Sequence, residues 1–139
     1  MAIRVINVLR RKPGMTHEEF RHAYETGHSR LALKLFGHLW IDYRRFYLDN
    51  ATSFVGATAI PAYGQGSSEC PIDAISEVVF RDEEALIEND RIANLPENKK
   101  LLNEDEERTF DRANCWVTMV EMISDSDPPA VHAQLNKDR

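Results

Sequence analysis

Apolar positions alternate from Ile3 to Arg10, with Ile3, Val5, Asn7 and Leu9 on one face and Ile6 and Val8 on the other. This predicts a strand, which Pro13-Gly14 ends. The period then changes. Thr16 and Glu19 have capping-box spacing and Met15 is placed to staple onto Phe20, so a helix begins here. Counted from that start at about 100° per residue, Phe20, Tyr24, Gly27, Leu31 and Leu35 form the stripe expected to face a sheet. His28 falls at the margin of the stripe and His22 almost opposite it. Gly37 closes the helix, and Leu39 to Leu48 reads as a second, aromatic-rich strand. On that strand Leu39, Ile41, Tyr43, Arg45 and Tyr47 share one face; Trp40, Asp42, Arg44, Phe46 and Leu48 share the other.

Ile72 to Phe80 alternates most cleanly, with Ala74, Ser76, Val78 and Phe80 against Asp73, Ile75, Glu77 and Val79. Asp73 and Glu77 are therefore expected on the same side. Asp82 to Leu95 predicts a second helix with Asp82, Glu83 and Glu84 in its positive first turn. Pro96 interrupts it, Glu97 to Glu107 adds a further helical piece, and Ala113 to Ile123 predicts the last strand. Between Asp49 and Pro71 lies a long connection rich in Gly and Ser. Its Phe54, Ile60 and Tyr63 suggest a loop that covers a pocket entrance or reaches another subunit.

The order β-α-β-β-α-β is that of an α+β, ferredoxin-like domain, one antiparallel sheet with its helices on one face. Both faces of the strands carry apolar or aromatic groups. The uncovered face is therefore expected to meet a twofold partner, giving a homodimeric α+β barrel. Residues 1–123 are read as the domain, and 124–139, with Pro128-Pro129 and scattered charges, as an extended arm or disordered tail.

A chain of 139 residues that is 42% hydrophobic supports a single core. A net charge of -6 argues against a nucleic-acid or anionic-membrane surface, because those partners require a dense basic face. No apolar run approaches a bilayer span, and no signal-peptide core precedes the first strand, so a cytoplasmic protein is expected. Two cysteines, Cys70 and Cys115, without CxxC spacing are expected as free thiols.

Candidate chemistry centres on His28. Taken alone, it is either a partly buried structural histidine bonded to a carbonyl or a proton carrier. Free imidazole titrates near pH ~6.5, so a histidine at an aromatic pocket can take a proton from an acidic carbon or hydroxyl and return it elsewhere. Tyr24, one turn before it, and Tyr43 or Tyr47 are candidate donors to a developing enolate, with packing as the alternative role. Trp40 and Trp116 are candidate walls for a flat ring, or core residues. His17, His22 and His28 do not share a face with a matching carboxylate, so no metal site is expected. Phosphate-loop, GxSxG and dinucleotide fingerprints are missing.

Three segments resemble the EthD-type members of the dimeric α+β barrel group. They are Arg11-Lys12-Pro13-Gly14-Met15-Thr16-His17-Glu18-Glu19-Phe20 running on to Thr26-Gly27-His28, Ile72-Asp73-Ala74-Ile75-Ser76-Glu77-Val78-Val79-Phe80, and Asn103-Glu104-Asp105-Glu106-Glu107-Arg108-Thr109-Phe110-Asp111-Arg112. The resemblance covers most of residues 3–123. It implies a small-molecule substrate and proton-transfer chemistry without metal or organic cofactor, such as isomerisation, dehydration or decarboxylation of a small cyclic aromatic or lactone-type acid. The group includes methylmuconolactone isomerases and polyketide-tailoring decarboxylases and dehydratases. The alternative it implies is a non-catalytic ligand-binding or accessory protein of an oxygenase or degradation pathway.

By the same resemblance His28 matches the family's proton-transfer histidine. Asp73 and Glu77 match acidic positions that orient it or bind substrate; ion pairs with Arg44 or Arg10 are the structural alternative. Val78 departs from the isomerase-like pattern, which carries a cysteine there, and so removes thiol chemistry from that position.

Overall fold

A computed structural model describes residues 1–56 and 58–137; Ala57 of the long loop and residues 138–139 of the tail lie outside them. The first strand, β1, runs Ile3–Leu9 and leads to α1, His17–Ala23. The capping box is formed: the Thr16 hydroxyl accepts from the Glu19 N–H at 3.1 Å, and the Glu19 carboxylate accepts from the Thr16 N–H at 3.0 Å.

The helix then departs from the expected phase. Tyr24–His28 forms a π turn, in which the Ser29 N–H reaches back five residues to the Tyr24 carbonyl, before α2 resumes over Ser29–Phe36. The wider turn shifts every later residue around the axis. Phe20 and Tyr24 are buried as expected, but beyond the turn the buried residues are Ser29, Ala32 and Phe36, while Leu31 and Leu35 are only half-buried. Leu31 and Leu35 therefore do not continue the stripe.

β2, Trp40–Tyr47, contains a second irregularity. The register with β3, Ala74–Phe80, jumps between Trp40 and Asp42, so Trp40 pairs with Phe80 and Tyr43 with Val78. This bulge places Trp40 and Tyr43 on one face, whereas simple alternation separates them. Next come α3, Glu83–Ala93, capped by Asp82, and α4, Pro96–Thr109, which starts on its proline. β4 is confined to Trp116–Met119, shorter than Ala113 to Ile123. The strand order is β2-β3-β1-β4, all antiparallel, which is the ferredoxin-like α+β arrangement.

The helical layer packs on the sheet face bearing Leu9, Ala74, Val78 and Phe80. Phe20, Tyr24 and Phe110 cover Leu9 and Ala74, and Ala85 and Leu39 cover Val78 and Phe80. The opposite face bears Ile6, Val8, Ile75, Phe46 and Trp116; Phe46 and Trp116 are exposed. The tail is not simply extended: α5, Pro128–Leu135, follows Asp127, whose carboxylate accepts from the Ala130 N–H, and none of its residues is buried.

The connection between β2 and β3 folds back on itself. Ser68 N–H donates to Ala51 O at 3.0 Å, Gly64 N–H to Asp49 O at 3.0 Å and Ser67 N–H to the Thr52 hydroxyl at 3.2 Å. At Gly66 a Cβ would lie 1.6 Å from the Asn50 carbonyl oxygen, so only glycine permits this crossing. Among the described residues no helix is long and apolar enough to cross a membrane.

Candidate active site

Between the helices and the sheet opens a cleft of about 690 Å³ whose walls include His28, Tyr24, Tyr43, Trp40, Asn7 and Ser76. The π turn sets the histidine here. Tyr24 and Phe110 meet the His28 ring edge-on, with centroids 5.0 and 4.8 Å away. α4 packs against the turn and brings Asp105 to it, so that His28 Nδ1 lies 2.5 Å from Asp105 Oδ2. Asp105 is 2% exposed, and its other carboxylate oxygen is 3.7 Å from the Arg108 guanidinium. A carboxylate only accepts hydrogen bonds, so in a neutral His28 this contact favours the tautomer with the proton on Nδ1 and the lone pair on Nε2. Among the described residues nothing else bonds to that ring. A histidine oriented in this way by a buried carboxylate can exchange a proton through Nε2.

Asp73 and Glu77 do not reach His28. Buried Asp73 accepts from the Arg11 backbone N–H at 2.8 Å and from its guanidinium at 2.7 Å, with His17 3.3 Å away. Arg11 also holds Glu69, and His17 lies 3.4 Å from Asp49, so this cluster ties the two ends of the long loop to β1 and α1. Glu77 lies 2.7 Å from Arg4 on the outer sheet face. Their cationic partners are thus Arg11 and Arg4 rather than Arg10 or Arg44, and the two acids are well separated in role.

The aromatic candidates divide. Tyr24, 1% exposed, accepts from the Tyr43 hydroxyl at 3.4 Å. Burial pushes both phenols up, so both stay protonated donors at neutral pH. Trp40 stacks at 30° on Phe36 and tilts onto Tyr43 at the far end of the cleft. Tyr47 is directed elsewhere: its hydroxyl donates to Glu25, and its ring lines a separate 360 Å³ depression formed with the long loop. Trp116 borders the cleft from β4, but its pairing with Val8 turns it to the outer face, where it is 73% exposed. None of the described loop residues lines the His28 cleft; those that line a depression line the separate one beside Tyr47.

Glu25 accepts two bonds from Arg45, at 2.7 and 2.6 Å. These bonds first, and the Tyr47 hydroxyl with them, hold the carboxyl at about 2, below its ordinary 4.5. The folded chain therefore binds fewer protons than the unfolded chain between these values. The stabilisation is complete above pH ~4.5 and is lost as pH falls toward about 2. Urea midpoints measured against pH are expected to drop across that window in the wild type and less steeply in Glu25→Gln. An equal slope in both would remove Glu25 from the acid transition.

Asp105 and Asn7 were not singled out in the sequence. Asp105 sits in an acidic run, Asn103 to Glu107, where no periodic signal separates it from solvated neighbours. Asn7 carried a readable signal: it is the one polar residue on the Ile3, Val5, Leu9 face of β1. It donates from Nδ2 to the buried Ser76 hydroxyl at 2.9 Å. Cys115 also lines the cleft; burial pushes its thiol up, which disfavours the thiolate. Among the described residues no cluster of three or more His, Cys, Asp or Glu is placed to hold a metal ion.

The family model of the EthD domain matches residues 12–113. No curated protein matches the chain. Among solved structures, an ethyl tert-butyl ether D (EthD) family protein from Bacillus halodurans is similar at 15% identity and a TM-score of 0.56, over 88% of this chain and 100% of its own. At3g17210 from Arabidopsis thaliana is similar at 15% identity and a TM-score of 0.53, over 89% of this chain and 98% of its own. A dimeric protein of unknown function with a ferredoxin-like fold from Bacteroides fragilis shares 7% identity at a TM-score of 0.51, over 87% and 96%.

Proposed function

This chain belongs to the EthD family, and from that premise we propose that it is a cofactor-independent lyase or isomerase of a small cyclic, aromatic or lactone-type acid. The observation that carries the reading is the buried Asp105 carboxylate on His28 Nδ1, at the edge of an aromatic-walled cleft. Nε2 takes a proton from an acidic carbon or hydroxyl of the ring. The electron pair moves onto the neighbouring carbonyl, and the imidazolium returns the proton elsewhere, giving isomerisation, or to a departing hydroxyl, giving dehydration. Decarboxylation runs with the same groups: Nε2 takes the carboxyl proton, the C–C bond breaks to release carbon dioxide with its electron pair left on the ring carbon and the neighbouring carbonyl, and the imidazolium protonates that carbon. The Tyr24 hydroxyl, which accepts from Tyr43 and so keeps its own proton to give, is the candidate donor to the developing oxyanion, with Tyr43 polarising it.

The test is incubation of the wild-type protein in deuterium oxide with a panel of lactone and aromatic ring acids. Deuterium uptake at carbon, or loss of water or carbon dioxide, supports the reading. Saturable binding with neither change for any bound acid supports a ligand-binding accessory protein instead.

The same proposal includes a homodimer. The outer face of the sheet presents Phe46 and Trp116 beside Ile6, Val8 and Ile75, an apolar surface that a second copy would cover to make a barrel. Sedimentation at micromolar concentration is expected to give twice the mass of one chain. A stable monomer would leave that face without its partner.

A further inference from the structure

Asn7 occupies the middle of the cleft floor, on a central strand whose other residues on that face are apolar. Two residues away on one side, Leu9 packs with Tyr24 and Phe110, the aromatic neighbours of His28. Two residues away on the other, Val5 packs with the cluster that includes Trp40. Same-face residues on a strand are roughly 7 Å apart, so Asn7 lies under the centre of anything that reaches from His28 toward Trp40. The span is considerable: His28 to Phe36, which stacks on Trp40, covers roughly 12 Å of helix. Such a length suits two fused rings or a ring with a side chain better than a lone ring.

A carboxamide has two N–H donors and an oxygen acceptor. In Asn7 one donor is engaged by Ser76 at 2.9 Å, and no other bond of the side chain occurs among the described residues. Ser76 is 2% exposed, so its bond orients the amide from a packed position. The remaining N–H and Oδ1 are left to the cleft that Asn7 lines. Asparagine is poorly suited to strand interiors, and β1 would gain from an apolar residue here.

We propose that Asn7, positioned by Ser76, is the specificity-determining contact of the cleft. It recognises a ring oxygen of the substrate, a phenolic or enolic hydroxyl that donates to Oδ1 or a ring carbonyl that accepts from Nδ2. The inference rests on the reading of this cleft as the substrate site, but it concerns recognition and stands apart from proton transfer. It narrows the substrate class to elongated ring acids bearing an oxygen within the ring system, away from the group that meets His28.

The test is calorimetric titration of naphthoic acid and its monohydroxy isomers. Wild-type protein is expected to bind at least one hydroxy isomer about 10-fold more tightly than naphthoic acid. Asn7→Leu is expected to erase that preference while changing naphthoic acid affinity by less than about 3-fold, with a melting temperature equal to or above that of the wild type. Ser76→Ala is expected to reduce the preference in part. If Asn7→Leu does not fold, Asn7→Ser, too short to reach the ligand, is expected to show the same loss. Absence of a preference in the wild type, absence of binding by every probe, or a preference that survives loss of the carboxamide would overturn the proposal. A lower melting temperature with selectivity intact would make Asn7 a cross-strand tie only. A preference that depends on Asn7 in a protein that moves no proton would keep this inference and remove the catalytic reading.

Discussion

Replacing His28 by glutamine is expected to lower kcat by roughly 10²–10⁴-fold, the usual contribution of a positioned general acid-base group, with little change in KM. The side chain is about one-fifth exposed and packs edge-on against Tyr24 and Phe110, so glutamine fills much of the space without opening the core. Folding and sedimentation mass should therefore be the same as in the wild type. His22 is exposed on the outer side of its helix, and His22→Ala should be nearly silent. Deuterium uptake into a bound ring acid, followed by NMR, measures both variants on one scale. Wild-type exchange in correctly folded His28→Gln would end the role proposed for this residue.

Asp105→Asn is the second large effect, of the same order, roughly 10²–10⁴-fold in kcat. Its cause differs. The asparagine is nearly isosteric, but its N–H₂ can donate to Nδ1, which turns the imidazole into the Nε2–H form and removes the lone pair from the cleft. Nitrogen-15 NMR of the His28 ring should show the proton on Nδ1 in the wild type and on Nε2 in the variant, while ligand affinity changes little. A rate loss with no change of tautomer would assign Asp105 a packing role. Because both residues act as one unit, the double variant should be hardly slower than either single one.

The parts legible in the sequence are those governed by local rules. The capping box at Thr16 and Glu19 is formed, the alternation of Ile72 to Phe80 matches the buried face of β3, and the element order is that of the ferredoxin-like sheet. The departures arise where one extra residue enters a regular element. The π turn at Tyr24–His28 transfers burial from Leu31 and Leu35 to Ser29, Ala32 and Phe36, and the bulge after Trp40 turns the indole to the side of Tyr43. Hydrophobic periodicity registers neither insertion: in the π turn the Thr26 and Ser29 hydroxyls donate to the His22 and Glu25 carbonyls, a local bond pattern that regular helices also show. Asp105 was hidden for a related reason. Its partner lies 77 residues away in the chain, and only the approach of α4 to the π turn distinguishes it from the acids beside it. Glu77 lies on β3 as read, whereas Asp73 falls just before the strand, and Arg11 and Arg4, both from the β1 side of the sheet, claim the two acids first.

A crystal structure of the protein with a bound hydroxynaphthoic acid would show whether His28 meets the ligand. The ring system is expected to lie along the cleft between His28 and Trp40, with His28 Nε2 roughly 2.6–3.2 Å from a polar or acidic position of the ligand and Nδ1 still on Asp105. A ligand seated instead against Tyr47 and the long loop, or on the outer face of the sheet with His28 untouched, would contradict it.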